Sequence, residues 1–420
     1  MQNTPRGLRF QIGLFGRRNA GKSSLLNAIA GQDVSIVSPV PGTTADPVNK
    51  AMELPPLGPV LFIDTAGLDD DEDSIGALRA DRSMKALDRC DAALVLLAPD
   101  RLPDETEELL FRTLQEKNVP CAAVLAKSDL AAASPALTSL LTSRGIPFVS
   151  VSARTGAGLP ELRGLLIRLA PEGFLDSMSM LGDLAEPARP VLLITPVDKE
   201  APRGRLILPQ VQAIRDVLDH RAWCVVTQED LIPRVLAGLS APPVLAVTDS
   251  QVFAAADSMV PASIPLTSFS ILMARMKGDL TLCAEGAAAI RKLRGGARIL
   301  IAEACTHHPV SDDIGREKIP RWLRKKTGAA LDFTFVQGQD FPADPSGFDL
   351  VIHCGACTFN RRAVLSRIHL CRERGVPFTN YGVCIAELHG ILERALAPFP
   401  SALAAYRKAG GGIGSDEPEL

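Results

Sequence analysis

GRRNAGKS, residues 16–23, is the stretch that decides the fold of the first third of this chain. It follows an apolar run of strand length, 10–15, and Lys22 opens a stretch that reads as a helix over 22–30. In that context the pattern G-x-x-x-x-G-K-[ST] is a phosphate-binding loop between a strand and a helix, where an isolated glycine turn would carry no such meaning. Gly16, Asn19, Ala20, Gly21, Lys22, Ser23 and Ser24 form the expected cradle. Its glycines let backbone N–H groups wrap phosphates, Lys22 reaches the β and γ oxygens, and the Ser23 hydroxyl ligates Mg²⁺.

Working outward, apolar strands at 60–64, 92–97, 121–125 and 148–151 alternate with helical stretches at 73–87, 104–116 and 159–170. That order predicts an α/β fold around a mostly parallel sheet. Asp64-Thr65-Ala66-Gly67 ends one strand, where the carboxylate can hold Mg²⁺ through water and the Gly67 N–H can sense a γ-phosphate. Pro41-Gly42-Thr43-Thr44 suits a switch loop that orders when the Thr44 hydroxyl joins the metal. Ala126-Lys127-Ser128-Asp129 follows another strand; the Asp129 carboxylate can accept both hydrogen bonds offered by the N1–H and N2–H₂ of guanine, and Ser152-Ala153 would close over the guanine oxygen.

The chain has 420 residues, 46% hydrophobic and 22% charged, enough for two or three domains with large cores. With 45 Lys plus Arg against 48 Asp plus Glu, the net charge of −3 disfavours wholesale coating of nucleic acid or an anionic membrane. The absence of an apolar signal core and of any span near the roughly 20 residues a bilayer needs predicts a cytoplasmic protein. In that compartment nine cysteines are expected as thiols, metal ligands or core fillers rather than disulfides. The expected division is a nucleotide-binding domain at 7–171, a small α/β dimerisation domain at 185–262, an α/β domain with a parallel sheet at 267–407, and a disordered tail at 408–420.

The third block carries the second constellation. Cys305-Thr306-His307 follows a strand at 298–303, and His353-Cys354-Gly355-Ala356-Cys357 follows one at 348–352. If both strands run parallel in one sheet, their carboxyl ends share the edge where open α/β sheets hold ligands. Three thiolates with a nearby imidazole suit either zinc or an iron–sulfur cluster. A helix starting near Asn360, with Arg361 and Arg362 in its first turn, favours an anionic group there. Cys90, Cys121, Cys224, Cys283 and Cys371 read as core fillers, while Cys384 follows a further strand end.

GRRNAGKSSLLNAIAG, with PGTT, DTAG and the Ser152-Ala153 pair, resembles the GTPases of the MnmE subgroup. The resemblance implies that Asn19 ligates K⁺ in place of an arginine finger, so that Lys22, Asn19, Thr44 and Gly67 carry slow hydrolysis of GTP. Leu68 stands where Ras-type proteins keep a catalytic glutamine, and Ala126 where the family has the asparagine that braces the base loop. The order C-x-H, 45 residues, H-C-x-x-C behind such a domain resembles the FeFe-hydrogenase maturation GTPase family. That resemblance implies a 4Fe-4S cluster on Cys305, Cys354 and Cys357, with His307 and His353 as variable participants. It further implies a homodimer, a transient diiron subcluster as cargo, and as partners apo FeFe-hydrogenase and the radical-SAM maturases HydE and HydG. An alternative is a tRNA-modification or ribosome-associated GTPase with a structural zinc site, favoured by the basic run 316–326, REKIPRWLRKK.

Overall fold

A computed structural model of the chain describes residues 4–31, 48–55, 57–65, 86–170, 179–196, 206–304 and 313–410. Thr44, Gly67, Leu68, Cys305, His307, most of the expected helix 73–87 and the end of the tail lie outside the described residues. The chain divides into two units, Met1–Ser177 and Met178–Leu420.

The first unit is built on a six-stranded sheet in the order β2-β3-β1-β4-β5-β6. Its strands are β1 (Phe10–Gly16), β2 (Val48–Leu54), β3 (Gly58–Asp64), β4 (Ala92–Leu97), β5 (Cys121–Ala126) and β6 (Phe148–Val151). All neighbours are parallel except β2, which runs against β3. Helices cover both faces, so the central strands are apolar throughout rather than alternating. Leu94 and Leu96 of β4 face one core with Ile12, Leu14 and the helix Leu159–Leu169. Val95 and Leu97 face the other with Leu110, Leu114, Leu137 and Leu141. The second layer includes a helix, Pro135–Ser143, that the sequence pattern did not announce. The parallel strands put the carboxyl ends of β1, β3, β5 and β6 on one edge, with the loop 16–23, Asp64, Asp129 and Ser152 along it.

The second unit holds two parallel four-stranded sheets. The first is β10-β9-β7-β8, from β7 (Val191–Ile194), β8 (Cys224–Thr227), β9 (Leu245–Thr248) and β10 (Leu266–Ser268). The second is β12-β11-β13-β14, from β11 (Arg298–Glu303), β12 (Asp332–Gln337), β13 (Leu350–His353) and β14 (Phe378–Asn380). From β10 the chain passes straight into the helix Phe269–Lys277, whose first turn is capped by the Ser268 hydroxyl accepting from the Ile271 N–H. In the second sheet Ala302 of β11 lies in register with His353 of β13, which in turn pairs with Asn380 of β14. The ends of β11 and β13 are therefore adjacent. No helix among the described residues is long and apolar enough to cross a membrane.

Candidate functional sites

The loop after β1 owes its shape to its glycines. Gly16 has φ +149°, and a Cβ there would stand 2.8 Å from the Leu96 carbonyl oxygen; Gly21, at φ +100°, is the N-cap of the helix Lys22–Ala30. Asn19 also takes a left-handed backbone, φ 61°, with its side chain exposed. The buried Lys22 ammonium donates to the Gly16 and Arg17 carbonyls at 2.7 and 2.9 Å, folded back over the space that phosphates would take.

Ser23 Oγ donates to Asp64 Oδ2 at 2.9 Å, which joins the two groups named for Mg²⁺. Asp64 Oδ1 is buried without a hydrogen-bond partner. An orphaned carboxylate oxygen beside a hydroxyl is a donor set for a hard cation, so the residues present fit Mg²⁺.

A cleft of about 260 Å³ opens along the same edge, lined among others by Gly21, Ser24, Ala126, Lys127, Asp129 and Ala153. Lys127 holds φ 60° at its rim. Asp129 Oδ1 accepts from the Ser152 hydroxyl at 2.6 Å, and Oδ2 from Arg154 Nε at 2.9 Å. Those two donors hold its pKa below the usual carboxylate range, so it is an acceptor throughout the neutral range. Arg154 escaped the sequence reading because nothing in the Ser152-Ala153 pair marks the residue after it. Ala126 offers the cleft a methyl group and no hydrogen bond. Ala126→Asn is expected to tighten guanine-nucleotide binding by about tenfold, one added hydrogen bond; equal affinity of variant and parent in calorimetry would contradict this.

In the second unit, Cys354 and Cys357 sit on the loop that leaves β13. The Cys354 N–H donates to the Ala302 carbonyl at 2.9 Å, extending the ladder with β11. Cys354 Sγ accepts from the Ala304 N–H at 3.1 Å and from the Ala356 N–H at 3.4 Å. Ala304, the residue before Cys305, thus lies against Cys354. Among the described residues no three His, Cys, Asp or Glu side chains gather as a metal site.

The loop has a buried cation under it. Lys277, last residue of its helix and 3% exposed, donates to the carbonyls of Ala356 (3.0 Å), Cys357 (3.0 Å) and Phe359 (2.7 Å). Burial pushes its pKa down to about 8, opposed by Cys357 and Cys354. Thiol donors that receive amide N–H groups next to a positive charge suit a negatively charged thiolate-bound group, and the residues present fit one.

Two of the sequence candidates already have protein partners. His353 is a candidate ligand; here its Nδ1–H donates to the Cys354 carbonyl at 2.8 Å and Nε2 accepts from Arg367 at 2.9 Å. Burial and that guanidinium push the imidazole down to about 3, leaving it neutral. His353 therefore braces the loop from behind in this geometry. Arg361, read as favouring an anion, donates instead to the Met276 carbonyl at 2.7 Å. The capping of the helix Arg361–Glu373 by Asn360 does match the sequence reading.

Cys384 is fully buried in the core around β11 and β13. Glu303 at the end of β11 accepts from Tyr381 (3.3 Å) and Gln337 (3.2 Å). Of the basic run 316–326, Arg316 lies over the Phe335 ring and Arg324 over Phe333, while Ile319 and Leu323 are core residues.

Three family models match the chain: "50S ribosome-binding GTPase" over 11–127, "Hydrogen maturase F dimerization domain" over 180–278, and "Hydrogen maturase F tetramerization domain" over 281–398. The tRNA modification GTPase MnmE of Paraburkholderia xenovorans is 39% identical over 158 residues, 37% of this chain and 33% of that protein. The MnmE of Methylococcus capsulatus is 33% identical over 227 residues, 53% of this chain and 49% of that protein. The chain thus spans a third to a half of the curated relatives it matches. Among solved structures, the G domain of the T. maritima FeoB iron transporter is 27% identical, covering 39% of this chain and 99% of that one, with a TM-score of 0.30. Aquifex aeolicus Era bound to GDP and AlF4⁻ is 21% identical, covering 52% and 93%, with a TM-score of 0.33. At such scores neither likeness carries an argument.

Proposed function

The chain belongs to the hydrogen maturase F family, whose dimerization- and tetramerization-domain models together match more than half of it, and from that premise we propose that it is a GTP-hydrolysing scaffold and carrier. It holds a 4Fe-4S cluster on Cys305, Cys354 and Cys357, and takes a diiron precursor as cargo for apo FeFe-hydrogenase. The observation that carries this reading is the Ala304 amide on Cys354 Sγ at 3.1 Å, which brings the approach to Cys305 against the Cys354–Cys357 loop. Three thiolates leave one iron of such a cluster for a weaker ligand, the chemistry a scaffold needs in order to grip and release a bridging group. His307 remains a candidate beside that position; His353 and Arg367 stiffen the loop behind it.

In the nucleotide half, Lys22 exchanges its two loop carbonyls for β- and γ-phosphate oxygens, while Ser23 and Asp64 hold Mg²⁺. Thr44 and Gly67 report the γ-phosphate, and Asp129 reads the guanine edge. Asn19 supplies an oxygen to K⁺, whose charge substitutes for an arginine finger. Because Leu68 cannot orient water, hydrolysis depends on that cation. GTP turnover in K⁺ is expected to exceed that in Na⁺ by about tenfold or more, the scale of one electrostatic contact to the transition state; equal rates in both would remove Asn19 from the mechanism.

Among the described residues β8 is an edge strand of the dimerization domain's sheet, with Val226 on it, Trp223 just before it and Leu218 on the preceding helix as exposed apolar side chains. We read it as the seam of a homodimer, with HydE and HydG as the source of the cargo. The test of the whole proposal is activation of apo-hydrogenase by the protein after exposure to the two maturases, and an inactive hydrogenase in every combination would refute it.

A further inference from the structure

Lys277 is remote in sequence from both cysteine motifs and belongs to neither, yet the loop 354–359 converges on it. Three carbonyls, those of Ala356, Cys357 and Phe359, meet the three N–H donors of one ammonium. In a planar peptide the carbonyl and the following amide point in opposite directions, so a clamp on the carbonyl side turns the amides of Cys357 and Thr358 the other way. The loop needs such a clamp. Ala356 sits at φ +53°, a left-handed backbone that is unfavourable for a non-glycine residue. That same residue donates its N–H to Cys354 Sγ.

The charge is equally telling. No carboxylate pairs with Lys277 among the described residues, and the side chains nearest to it in charge terms are the sulfurs of Cys357 and Cys354. A buried ammonium must be matched by hydrogen-bond acceptors, here three carbonyls, and a methionine of similar volume would fill the site without making those contacts.

We propose that Lys277 is the positioning residue of the cysteine loop, its three carbonyl contacts holding 354–359 in the conformation that keeps Ala356 left-handed with its N–H on Cys354 Sγ. This rests on the reading of Cys354 and Cys357 as cluster ligands, and it adds a residue that touches neither metal nor substrate.

Lys277→Met tests it with two readouts on the full chain. The first is amide hydrogen exchange of the metal-free protein, followed by mass spectrometry of peptides covering 354–359, β11 and β13. Exchange in the loop is expected to accelerate about tenfold or more, with the strands unchanged. The second is iron retained after anaerobic reconstitution and desalting, expected to fall below about half of the parent's value, since three charge-assisted contacts are lost. Loop exchange equal to the parent's would overturn the proposal. So would a variant that unfolds or loses protection across β11 and β13 as well, because Lys277 would then be a structural residue only. A parent protein that takes up no iron, with loop protection still lost in Lys277→Met, would defeat the cluster reading and leave Lys277 as the clamp of the loop.

Discussion

Cys354→Ser or Cys357→Ser is expected to abolish activation of apo-hydrogenase and to strip most of the iron from the protein, while GTP turnover stays within about twofold of the parent. The loss follows from ligand count: a cluster held by three thiolates has no spare, and a serine hydroxyl is a harder, far less acidic donor. The sparing of GTP turnover follows from the division of the chain, since the cysteines and the nucleotide loop belong to different units. Iron and sulfide determination, run beside a phosphate-release assay, checks both halves. A Cys354→Ser protein that kept its iron and still activated hydrogenase would show the thiolate to be incidental.

Lys22→Ala is the second large effect. The ammonium that now satisfies Gly16 and Arg17 carbonyls is the group that neutralises β- and γ-phosphate charge when nucleotide is bound. Loss of a preorganised charge on the transferring group costs on the order of 10²–10³-fold in turnover. The same change removes the ammonium's contact to the bound phosphates in the ground state, so nucleotide affinity is expected to fall as well. Single-turnover phosphate release with binding measured separately resolves the two; turnover within a factor of two of the parent would mean that Lys22 is not the phosphate ligand.

Much of this was legible in the chain because parallel α/β sheets put chemistry at strand ends. Gly16, Asp64, Asp129 and Ser152 each follow or end an apolar run, and a fold that aligns those runs must align those residues. The same logic put the ends of β11 and β13 on one edge, where Ala302 and His353 lie in register. What sequence could not supply were contacts made through the third dimension. Lys277 reads as an ordinary basic residue in the last turn of a helix, favourable to the helix dipole, and only the fold sets it under a loop 80 residues away. Arg367 reads as a surface position of a charged helix, yet it is buried between His353 and the rings of Phe341 and Phe359.

The partners of His353 were hidden for the same reason. Nothing in the pattern H-C-x-x-C shows that the imidazole nitrogens meet the Cys354 carbonyl and Arg367. Short or polar elements were also invisible: β10 has three residues, and the helix Pro135–Ser143 carries Thr138, Ser139, Thr142 and Ser143 among its apolar positions, so its composition imitates a loop.

The central claim is that the cysteines of the second unit hold an iron–sulfur cluster, and the most direct test is metal analysis with electron paramagnetic resonance of anaerobically purified protein, before and after reduction. The account predicts a brown protein with about four irons and four sulfides per chain, and a cluster signal that appears on reduction. A colourless protein carrying one zinc per chain and silent on reduction would contradict it, and would make Cys354 and Cys357 ligands of a structural metal.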